Sequence, residues 1–283
     1  MYQNLPLVSI ITPSFQQGRF INDTIQSVLT QDYPKIEYIV IDAQSTDDTI
    51  EILESYGQQF VWLSEADNGQ ANAINKGLNL SHGDIVTWLN SDDLLKPGAV
   101  RAIVDKFNEY PEAGLVFGDL DLVDENRKML QSVKLSDILP EELLFGNVIG
   151  QPNVFIRKDV FETTGYINEK YHYVFDLDLW LRIAFRYTTH HISQSIAEFR
   201  LHGESKSVLS RQKFASEWLM ILSQFFEQKD LPHNVKLLKR RATGKAYAGF
   251  AFSLLNQGKY REALPHFLRA VLLDHTYIHN RGV

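Results

Sequence analysis

The chain has 283 residues, of which 44% are hydrophobic, enough for one large core with a smaller annex. Its formal net charge of −7 argues against a general nucleic-acid-binding protein, which needs a positive surface. Because cysteine is absent, disulfides, thiolate chemistry and Cys-ligated zinc are excluded, and any metal must bind Asp, Glu, His or Asn. No apolar stretch reaches the roughly 20 residues that span a bilayer, and the N-terminus does not resemble a signal peptide, so a cytoplasmic protein is predicted.

Short apolar runs alternate with amphipathic segments between Leu7 and Leu95. The predicted strands are LVSIITP (7–13), IEYIVIDA (36–43), FVWLSE (60–65) and DIVTWLN (84–90). Helical periodicity separates them, and the second helix follows the cap candidates Ser45 and Thr46. Because crossovers between parallel strands are right-handed, this order predicts an α/β fold with a Rossmann-like, doubly wound, mostly parallel sheet.

Polar side chains follow every predicted strand. They are Thr12, Pro13 and Ser14 after the first, Asp42 after the second, Glu65 and Asp67 after the third, and Asn90, Ser91, Asp92 and Asp93 after the fourth. Ligands of doubly wound sheets bind at the carboxyl ends of the strands. Carboxylates there would repel phosphate groups unless a divalent cation lay between them. The acidic edge therefore predicts a metal site.

Other interpretations of this edge are weaker. A polar turn that only closes a strand would explain an isolated Ser-Asp-Asp, but not polar residues at four strand ends. A dinucleotide or P-loop enzyme would carry GxGxxG or GxxxxGK[ST] after the first strand, and neither pattern is there. A nucleotidyltransferase would carry a glycine-rich basic loop, whereas TPSFQQGRF has one Gly and one Arg.

Three separated segments then match a known family in order. VSIITPSFQQGRFINDTIQSVLTQDYPKIEYIVIDAQSTDDT, SEADNGQANAINKG and GDIVTWLNSDD resemble family 2 glycosyltransferases of the GT-A fold, in particular the bacterial branch that builds O-antigen and other surface polysaccharides. The resemblance covers about residues 7–205. It implies a GT-A domain at 1–205, with a nucleotide-sugar half at about 1–96 and an acceptor half at about 97–205.

The resemblance also assigns site residues. It implies that the nucleotide sugar contacts Thr12, Pro13, Ser14, Asp42, Asp67, Asn90, Ser91 and Arg200. The implied ligands of Mn²⁺ or Mg²⁺ are Asp92, from the Asp-X-Asp motif, and His202, from FRLHGESKS (199–207). Asn90 replaces the first acid of that motif, so it offers an acceptor oxygen without charge. Ala43 replaces an acid that reads the nucleobase in many members, which leaves the nucleobase open, with a UDP-sugar as the expected donor.

The acceptor side is implied by two later segments, GNVIGQPNVFIRKDVF (146–161) and FDLDLWLRIAFR (175–186). Gln151 belongs to the first segment. In the second, the catalytic base matches Asp176, with Asp178 as the runner-up and Trp180 beside them. The apolar periodicity of this segment independently predicts an inward-packed helix, for which an acid near the N-terminus is often only a favourable dipole partner.

The resemblance therefore implies metal-dependent, inverting transfer of a sugar from a nucleotide sugar to a hydroxyl of a lipid-linked glycan acceptor in surface polysaccharide synthesis. Asp92 would hold the cation that neutralises the diphosphate, and Asp176 would take the acceptor proton. The alternative is a catalytically degenerate domain that acts as a scaffold in a polysaccharide assembly complex. The departures at Ala43, at Asn90 and at Phe175, which stands where the family usually has an acid before the base, keep that alternative open.

The C-terminal region, 206–283, is predicted to be a helical annex in which residues 255–274 resemble one tetratricopeptide-like hairpin. The favoured interpretation is that these helices pack on the catalytic domain. A docking face for a protein partner or a dimer is the alternative. The basic segment LLKRRATGK favours a solvated surface, and contact with an anionic membrane at its inner face stays open.

Overall fold

The computed structural model describes residues 5–206 and 211–279 of the chain, which forms two compact units. The first unit comprises Met1–Ile138 and Ile149–His202, and the second comprises Leu139–Val148 and Gly203–Val283. The chain therefore divides three residues before the predicted boundary at 205. A short stretch of the predicted acceptor half also belongs to the second unit. Ser207, the last residue of the FRLHGESKS segment, lies outside the described residues.

One nine-stranded sheet organises the first unit, in the order β3-β2-β1-β4-β8-β6-β9-β5, with β7 paired to β6. Strands β1 to β4 pair in parallel, whereas β8 is antiparallel to both β4 and β6. The strands are β1 Val8–Ser14, β2 Ile36–Asp42, β3 Val61–Ser64, β4 Ile85–Trp88, β5 Leu94–Leu95, β6 Ala113–Asp124, β7 Met129–Val133, β8 Val154–Arg157 and β9 Thr188–Leu201. The four predicted strands thus form a parallel part of a mixed sheet, in which β6 and β9 are a further parallel pair.

Helices cover this sheet, and the central strands β1 and β4 are buried along their whole length. The helices are α1 Ile21–Leu29, α2 Thr49–Ser55, α3 Gln70–Leu80, α4 Ala99–Glu109, α5 Val160–Thr164 and α6 Phe175–Ala184. Helix α2 begins later than its cap candidates predict, and Ser45 does not cap it. Both the backbone N–H and the hydroxyl of Ser45 donate to the Asp42 carboxylate instead, at 2.9 and 2.5 Å.

The second unit is helical, as predicted. It contains the 3-10 helix Pro140–Phe145, the helices α7 Arg211–Phe225, α8 His233–Leu237, α9 Lys239–Leu255 and α10 Tyr260–Leu273, and the 3-10 helix His275–His279. Helices α9 and α10 pack against each other through Ala251, Leu254 and Ala263, and the turn between them uses Gly258 at φ 74°. Within the described residues, no helix is both long and apolar enough to cross a membrane.

Candidate active site

The candidate site lies where the sheet changes direction. From β1 the chain builds β2 and β3 on one side and then returns to place β4 on the other side of β1. The carboxyl ends of β1 and β4 therefore flank the topological switch point, where open α/β sheets bind their ligands. Asn90, Ser91, Asp92 and Asp93 follow β4 at this point.

The structure brings together the two predicted metal ligands. His202 Nε2 lies 3.0 Å from Asp92 Oδ2, although the two residues are 110 positions apart in the sequence. The Asp92 side chain keeps 21% exposure, whereas the His202 side chain keeps 3%. The His202 ring also packs on Phe20, with centroids 4.7 Å apart, so its position is fixed by packing.

This pair fits a cation that is shared with a substrate. Among the described residues, no group of three or more His, Asp and Glu side chains is arranged to hold a metal ion. Mg²⁺ commonly binds through one or two protein ligands plus substrate phosphates and water. Asp92 supplies the hard oxygen such an ion prefers, and the His202 imidazole supplies a nitrogen that suits Mn²⁺ better than Mg²⁺. The two side chains are sufficient for an ion whose remaining positions are filled by a diphosphate.

Asp93 has a different task from its neighbour. It is 1% exposed, and its carboxylate accepts hydrogen bonds from the Arg200 backbone N–H at 3.0 Å and from Asn90 Nδ2 at 3.1 Å. Burial raises its pKa well above the ordinary value, and the negative charge of Asp92 acts in the same direction. Asp93 therefore ties the turn after β4 to strand β9, which carries His202 at its end, and leaves the exposed position to Asp92.

The contact of Arg200 with the diphosphate stays a prediction, and the structure shows its side chain buried and paired within the protein. The guanidinium is 2% exposed, donates to Asp23 Oδ2 at 2.8 Å and lies 4.7 Å over the Phe20 ring. Because it contacts the Phe20 ring, which also packs on His202, Arg200 acts in this arrangement as a positioning residue. An arginine two residues before a metal ligand looks like a phosphate contact in sequence, because sequence does not show which way a strand turns its side chains.

A chain of amides occupies the same edge. Gln70 Nε2 donates to Asn90 Oδ1 at 2.6 Å, Asn90 Nδ2 donates to Gln151 Oε1 at 2.7 Å, and Gln151 Nε2 donates to the Trp88 carbonyl at 2.6 Å. The Asn90 oxygen that was predicted to face a ribose is therefore already bonded to Gln70. Gln151, predicted on the acceptor side, is brought to the end of β4. Gln70 was missed as a site residue, although it lies within the segment SEADNGQANAINKG that carries the family resemblance.

Most of the predicted nucleotide contacts at β1 and β2 are buried. Asp42 is fully buried and accepts from Ser45 and from the Ser64 hydroxyl at 2.7 Å, while the Thr12 hydroxyl accepts from Tyr38 at 3.1 Å. Their side chains brace the strand ends, and their contact with the nucleotide sugar stays a prediction. Pro13 and Ser91 are also buried.

Two of the residues predicted to contact the nucleotide sugar have polar atoms that a ligand could bind. Ser14 is 4% exposed, and its hydroxyl has no hydrogen-bond partner among the described residues. Asp67 is half-buried and accepts from the Gly69 N–H at 2.8 Å, which leaves its second oxygen available to a ligand. Next to Ser14, Phe15 is 58% exposed and was missed in the sequence. Its position in the sequence could have identified it, because it is the first residue beyond β1 at the switch point. An exposed aromatic ring there indicates contact with a ligand or partner.

Helix α6 separates its two acids. Asp176 stands in the first turn and is half-buried, and the Phe175 ring before it lies 6.3 Å from Trp88, which brings this turn to the end of β4. Asp178 is paired with Arg182, which donates to it at 2.8 and 3.0 Å. Burial raises the pKa of Asp178, and the Arg182 charge opposes that rise. Asp178 is therefore a structural acid rather than an acceptor contact.

Trp180, predicted on the acceptor side, lies in the core of the first unit. Its side chain is fully buried and stacks on Trp88, with centroids 5.3 Å apart and planes inclined by 18°. A ring with no exposed surface cannot contact an acceptor sugar. Its packing instead fixes α6, and with it Asp176, against the strand that ends in the acidic turn.

Comparison with known proteins identifies related sequences. The model of glycosyl transferase family 2 matches residues 9–163, more than half of the chain. The "Putative teichuronic acid biosynthesis glycosyltransferase TuaG" of Bacillus subtilis (strain 168) is 31% identical over 71% of this chain and 82% of its own length. An uncharacterized glycosyltransferase of Rickettsia conorii is 30% identical over 71% of this chain, which spans only 35% of that longer relative.

Solved structures share the fold at low sequence identity. Staphylococcus aureus TarS 1–349 in complex with UDP-GlcNAc has a TM-score of 0.71 and 18% identity, covering 94% of this chain and 81% of TarS 1–349. The Pyrobaculum calidifontis mannosyltransferase PcManGT, in complex with GDP-Man and Mn²⁺, has a TM-score of 0.64 and 16% identity, covering 99% of this chain and 89% of that one. The GT-A fold that the sequence predicts is thereby confirmed.

Proposed function

Because the chain belongs to glycosyl transferase family 2, we propose that it transfers a sugar from a UDP-sugar to a hydroxyl of a glycan acceptor, with a divalent cation. The observation that carries this proposal is the pair of Asp92 and His202, 3.0 Å apart at the switch point of the sheet. An exposed carboxylate beside a buried imidazole is suited to hold Mn²⁺ or Mg²⁺ against a diphosphate.

The cation, when bound, supplies the positive charge that stabilises the departing diphosphate. The protein's own groups keep its two ligands in place. Asp93 ties the turn to β9, and Phe20 supports the His202 ring from below. A site that is already arranged in this way needs no costly reorganisation when charge develops on the leaving group.

Asp176 is the proposed base. As the acceptor oxygen forms its bond to the anomeric carbon, its proton passes to the Asp176 carboxylate, and the bond from that carbon to the diphosphate oxygen breaks. Attack from the side opposite the leaving group inverts the configuration at that carbon. The packing of Trp180 on Trp88 holds the first turn of α6 near the end of β4, where this attack would take place.

The donor and acceptor are proposed from the relatives. TarS was solved with UDP-GlcNAc, and the Bacillus relative carries teichuronic acid biosynthesis in its name. We therefore assign a UDP-sugar as donor and a lipid-linked glycan of the bacterial surface as acceptor. Exposed Phe15, beside Ser14, offers a face on which the nucleobase can stack.

The proposal is tested by nucleotide release. The purified chain is incubated with UDP-GlcNAc, other UDP-sugars or GDP-mannose and with lipid-linked glycans from a bacterial envelope, in Mn²⁺ or in EDTA. We expect release of UDP that requires Mn²⁺ and falls about 10³-fold in Asp92→Ala, the loss typical of removing one key electrostatic group. Asp84→Ala is the matched control, because Asp84 precedes β4 at the opposite edge of the sheet.

Two results would contradict the proposal. Equal activity in EDTA would show that transfer does not require a divalent cation. Absence of turnover with every donor, together with retained folding, would support the scaffold alternative, in which the domain only binds other assembly proteins.

A further inference from the structure

The second unit carries positive charge that the rest of the chain does not. Residues 139–148 and 203–283, which form this unit, contain 13 Lys and Arg against eight Asp and Glu, although the whole chain contains 28 and 35. Five of the cations lie between Lys236 and Lys245, on α8 and α9. Clustered positive charge in a protein of negative net charge attracts negatively charged partners to that part of the protein.

Part of this charge surrounds a cavity. The cavity has a volume of about 410 Å³ and is lined by Phe145, Arg241, Lys245, Asp274, Thr276 and Tyr277. Arg241 and Lys245 are four residues apart on α9 and so share one face of the helix. Their charged groups lie 5.5 and 5.9 Å from the centroid of the Phe145 ring, so an aromatic surface holds both cations at the cavity.

The positive charge of the cavity is only partly balanced. Asp274 is its one acidic lining residue, and its Oδ2 lies 3.8 Å from Arg241 Nε, beyond hydrogen-bond distance. The other oxygen of Asp274 accepts from the Thr276 N–H and hydroxyl at 3.0 and 2.7 Å. Lys245 has no carboxylate within 4.0 Å among residues 5–206 and 211–279. The lining thus has one cation in excess and suits an anion such as phosphate.

An apolar ridge approaches the same cavity along α10. Tyr260, Leu264, Leu268 and Leu272 follow one another at intervals of four and keep 68%, 59%, 57% and 75% exposure. A soluble protein rarely leaves a contiguous row of large apolar side chains uncovered unless the row meets a partner or a membrane. Elsewhere on α10, Ala263 and Ala270 are buried, and Phe267, Val271 and Leu273 are partly buried.

The ridge and the cavity meet at one end. Leu272, the most exposed leucine of the ridge, lies two residues before the cavity-lining Asp274. Its carbonyl accepts a hydrogen bond at 3.0 Å from Arg240, the neighbour of cavity-lining Arg241. Exposed leucines next to a cation-lined cavity are complementary to a lipid surface, in which phosphate head groups lie just above the acyl chains.

We propose that this face of the second unit binds an anionic phospholipid bilayer. The cavity receives a lipid phosphate between Arg241 and Lys245, and the ridge enters the boundary between head groups and acyl chains. The charge complementarity favours this occupant over a second copy of the chain, because two such cationic faces would repel each other. The proposal does not depend on glycosyl transfer, since it concerns binding alone.

The test is sedimentation of the full chain with vesicles of phosphatidylcholine, with and without 30% phosphatidylglycerol. We expect binding to the anionic vesicles only, weakened by added salt. The variant Arg241→Ala/Lys245→Ala should partition about 30-fold more weakly, the effect expected for two basic residues near an anionic surface. Leu268→Ser/Leu272→Ser should weaken binding at least tenfold, because apolar burial is lost. Lys128→Ala/Lys229→Ala removes the same charge from exposed positions elsewhere and should bind as the native chain does.

Several results would overturn the proposal. One is equal binding to neutral vesicles, and another is equal loss in the control variant. If millimolar inorganic phosphate saturated the cavity and the chain did not bind vesicles, the cavity would be a site for a soluble anion. A concentration-dependent dimer that the leucine variant abolishes would assign the ridge to a second copy. Circular dichroism of each variant separates these outcomes from unfolding, and single Leu272→Ser replaces the double variant if that one does not fold.

Discussion

The side chains at the acidic edge of the first unit, after β4, differ in their contacts from those on the basic face of the second unit. The basic face is formed by Arg241, Lys245 and the exposed leucines of α10. At the edge, Asp92 is bonded to His202, and Asp93 to the backbone of Arg200. On the basic face, Arg241 and Lys245 rest on an aromatic ring, and the leucines of α10 are exposed. The edge is arranged in advance for chemistry, which requires fixed geometry. The basic face is complementary to a surface that the chain itself does not supply, as expected of a docking site.

The largest expected effect separates the two acids of α6. Asp176→Asn should lower kcat by about 10² to 10⁴, the range for removal of a general base, and should leave donor binding unchanged. Asp178→Asn is the matched control from the same turn. It should alter kcat by less than about threefold, because Asp178 already pairs with Arg182. Steady-state kinetics with both substrates measures the difference. If Asp178→Asn were the inactive variant, the assignment of the base would be reversed.

Trp180 is expected to affect stability rather than acceptor binding. Trp180→Ala should lower the free energy of unfolding by about 3 to 5 kcal/mol, as for other large core deletions. Trp62, on the edge strand β3 and only partly buried, is the control, and its alanine variant should lose less. Urea unfolding measures both. If Trp180→Ala left the free energy of unfolding unchanged and raised the KM for the acceptor, Trp180 would be assigned to the acceptor site.

A smaller effect concerns the pH dependence of stability. Burial acts to raise the pKa of Asp119, but hydrogen bonds from the Leu135 N–H, His191 and Lys134 outweigh burial and lower it. Because the folded pKa is below the unfolded value of about 3.9, Asp119 stabilises the folded state above that value. This contribution is lost as the pH falls through the folded pKa.

Asp119→Asn should therefore reduce the free energy of unfolding by roughly 1 to 3 kcal/mol at pH 7 and flatten its fall below about pH 4. Urea unfolding between pH 3 and 7 measures the slope. Asp84→Asn serves as a control on the same sheet, since no pKa shift at Asp119 depends on it. An identical acid slope in Asp119→Asn and the native chain would show that the bonds at Asp119 do not couple to folding.

The smallest expected effect tests Phe15. Phe15→Ala should weaken UDP binding about fivefold, at the lower end of the range for base stacking on an aromatic ring, because the ring is largely exposed. Phe15→Tyr should bind as the native chain does. Calorimetric titration with UDP and Mn²⁺ measures both affinities. Equal binding by Phe15→Ala would exclude the ring from the nucleobase site.

The sequence was informative about which residues end each strand and uninformative about where those side chains point. The alternation of apolar runs with helical patterns predicts β1 to β4 and the polar edge, because local periodicity determines those elements. It does not tell Asp92 from Asp93, since adjacent residues of a turn differ only in their contacts with distant strands. Asp42, Arg200 and Trp180 matched family motifs, yet their burial depends on Ser45, Asp23 and Trp88, which no local pattern connects to them.

The second unit shows the same limit more strongly. Its helices and the hairpin turn at Gly258 follow from local pattern. The cavity requires Phe145, which precedes the predicted annex, to lie beside residues from the end of the chain. Only tertiary contacts reveal that the basic segment and the leucine ridge adjoin.

The central claim is that Asp92 and His202 hold a cation against a diphosphate, and thermal unfolding tests it most directly. The native chain, Asp92→Ala and Asp84→Ala are each heated with UDP, GDP, CDP or dTDP, with and without Mn²⁺. A nucleotide at 100 times its Kd should stabilise the fold by about 2.7 kcal/mol, a shift that such a scan resolves. We expect UDP to raise the midpoint of the native chain and of Asp84→Ala only with Mn²⁺, and to have no effect on Asp92→Ala. A metal-independent shift, or an undiminished shift in Asp92→Ala, would contradict the account.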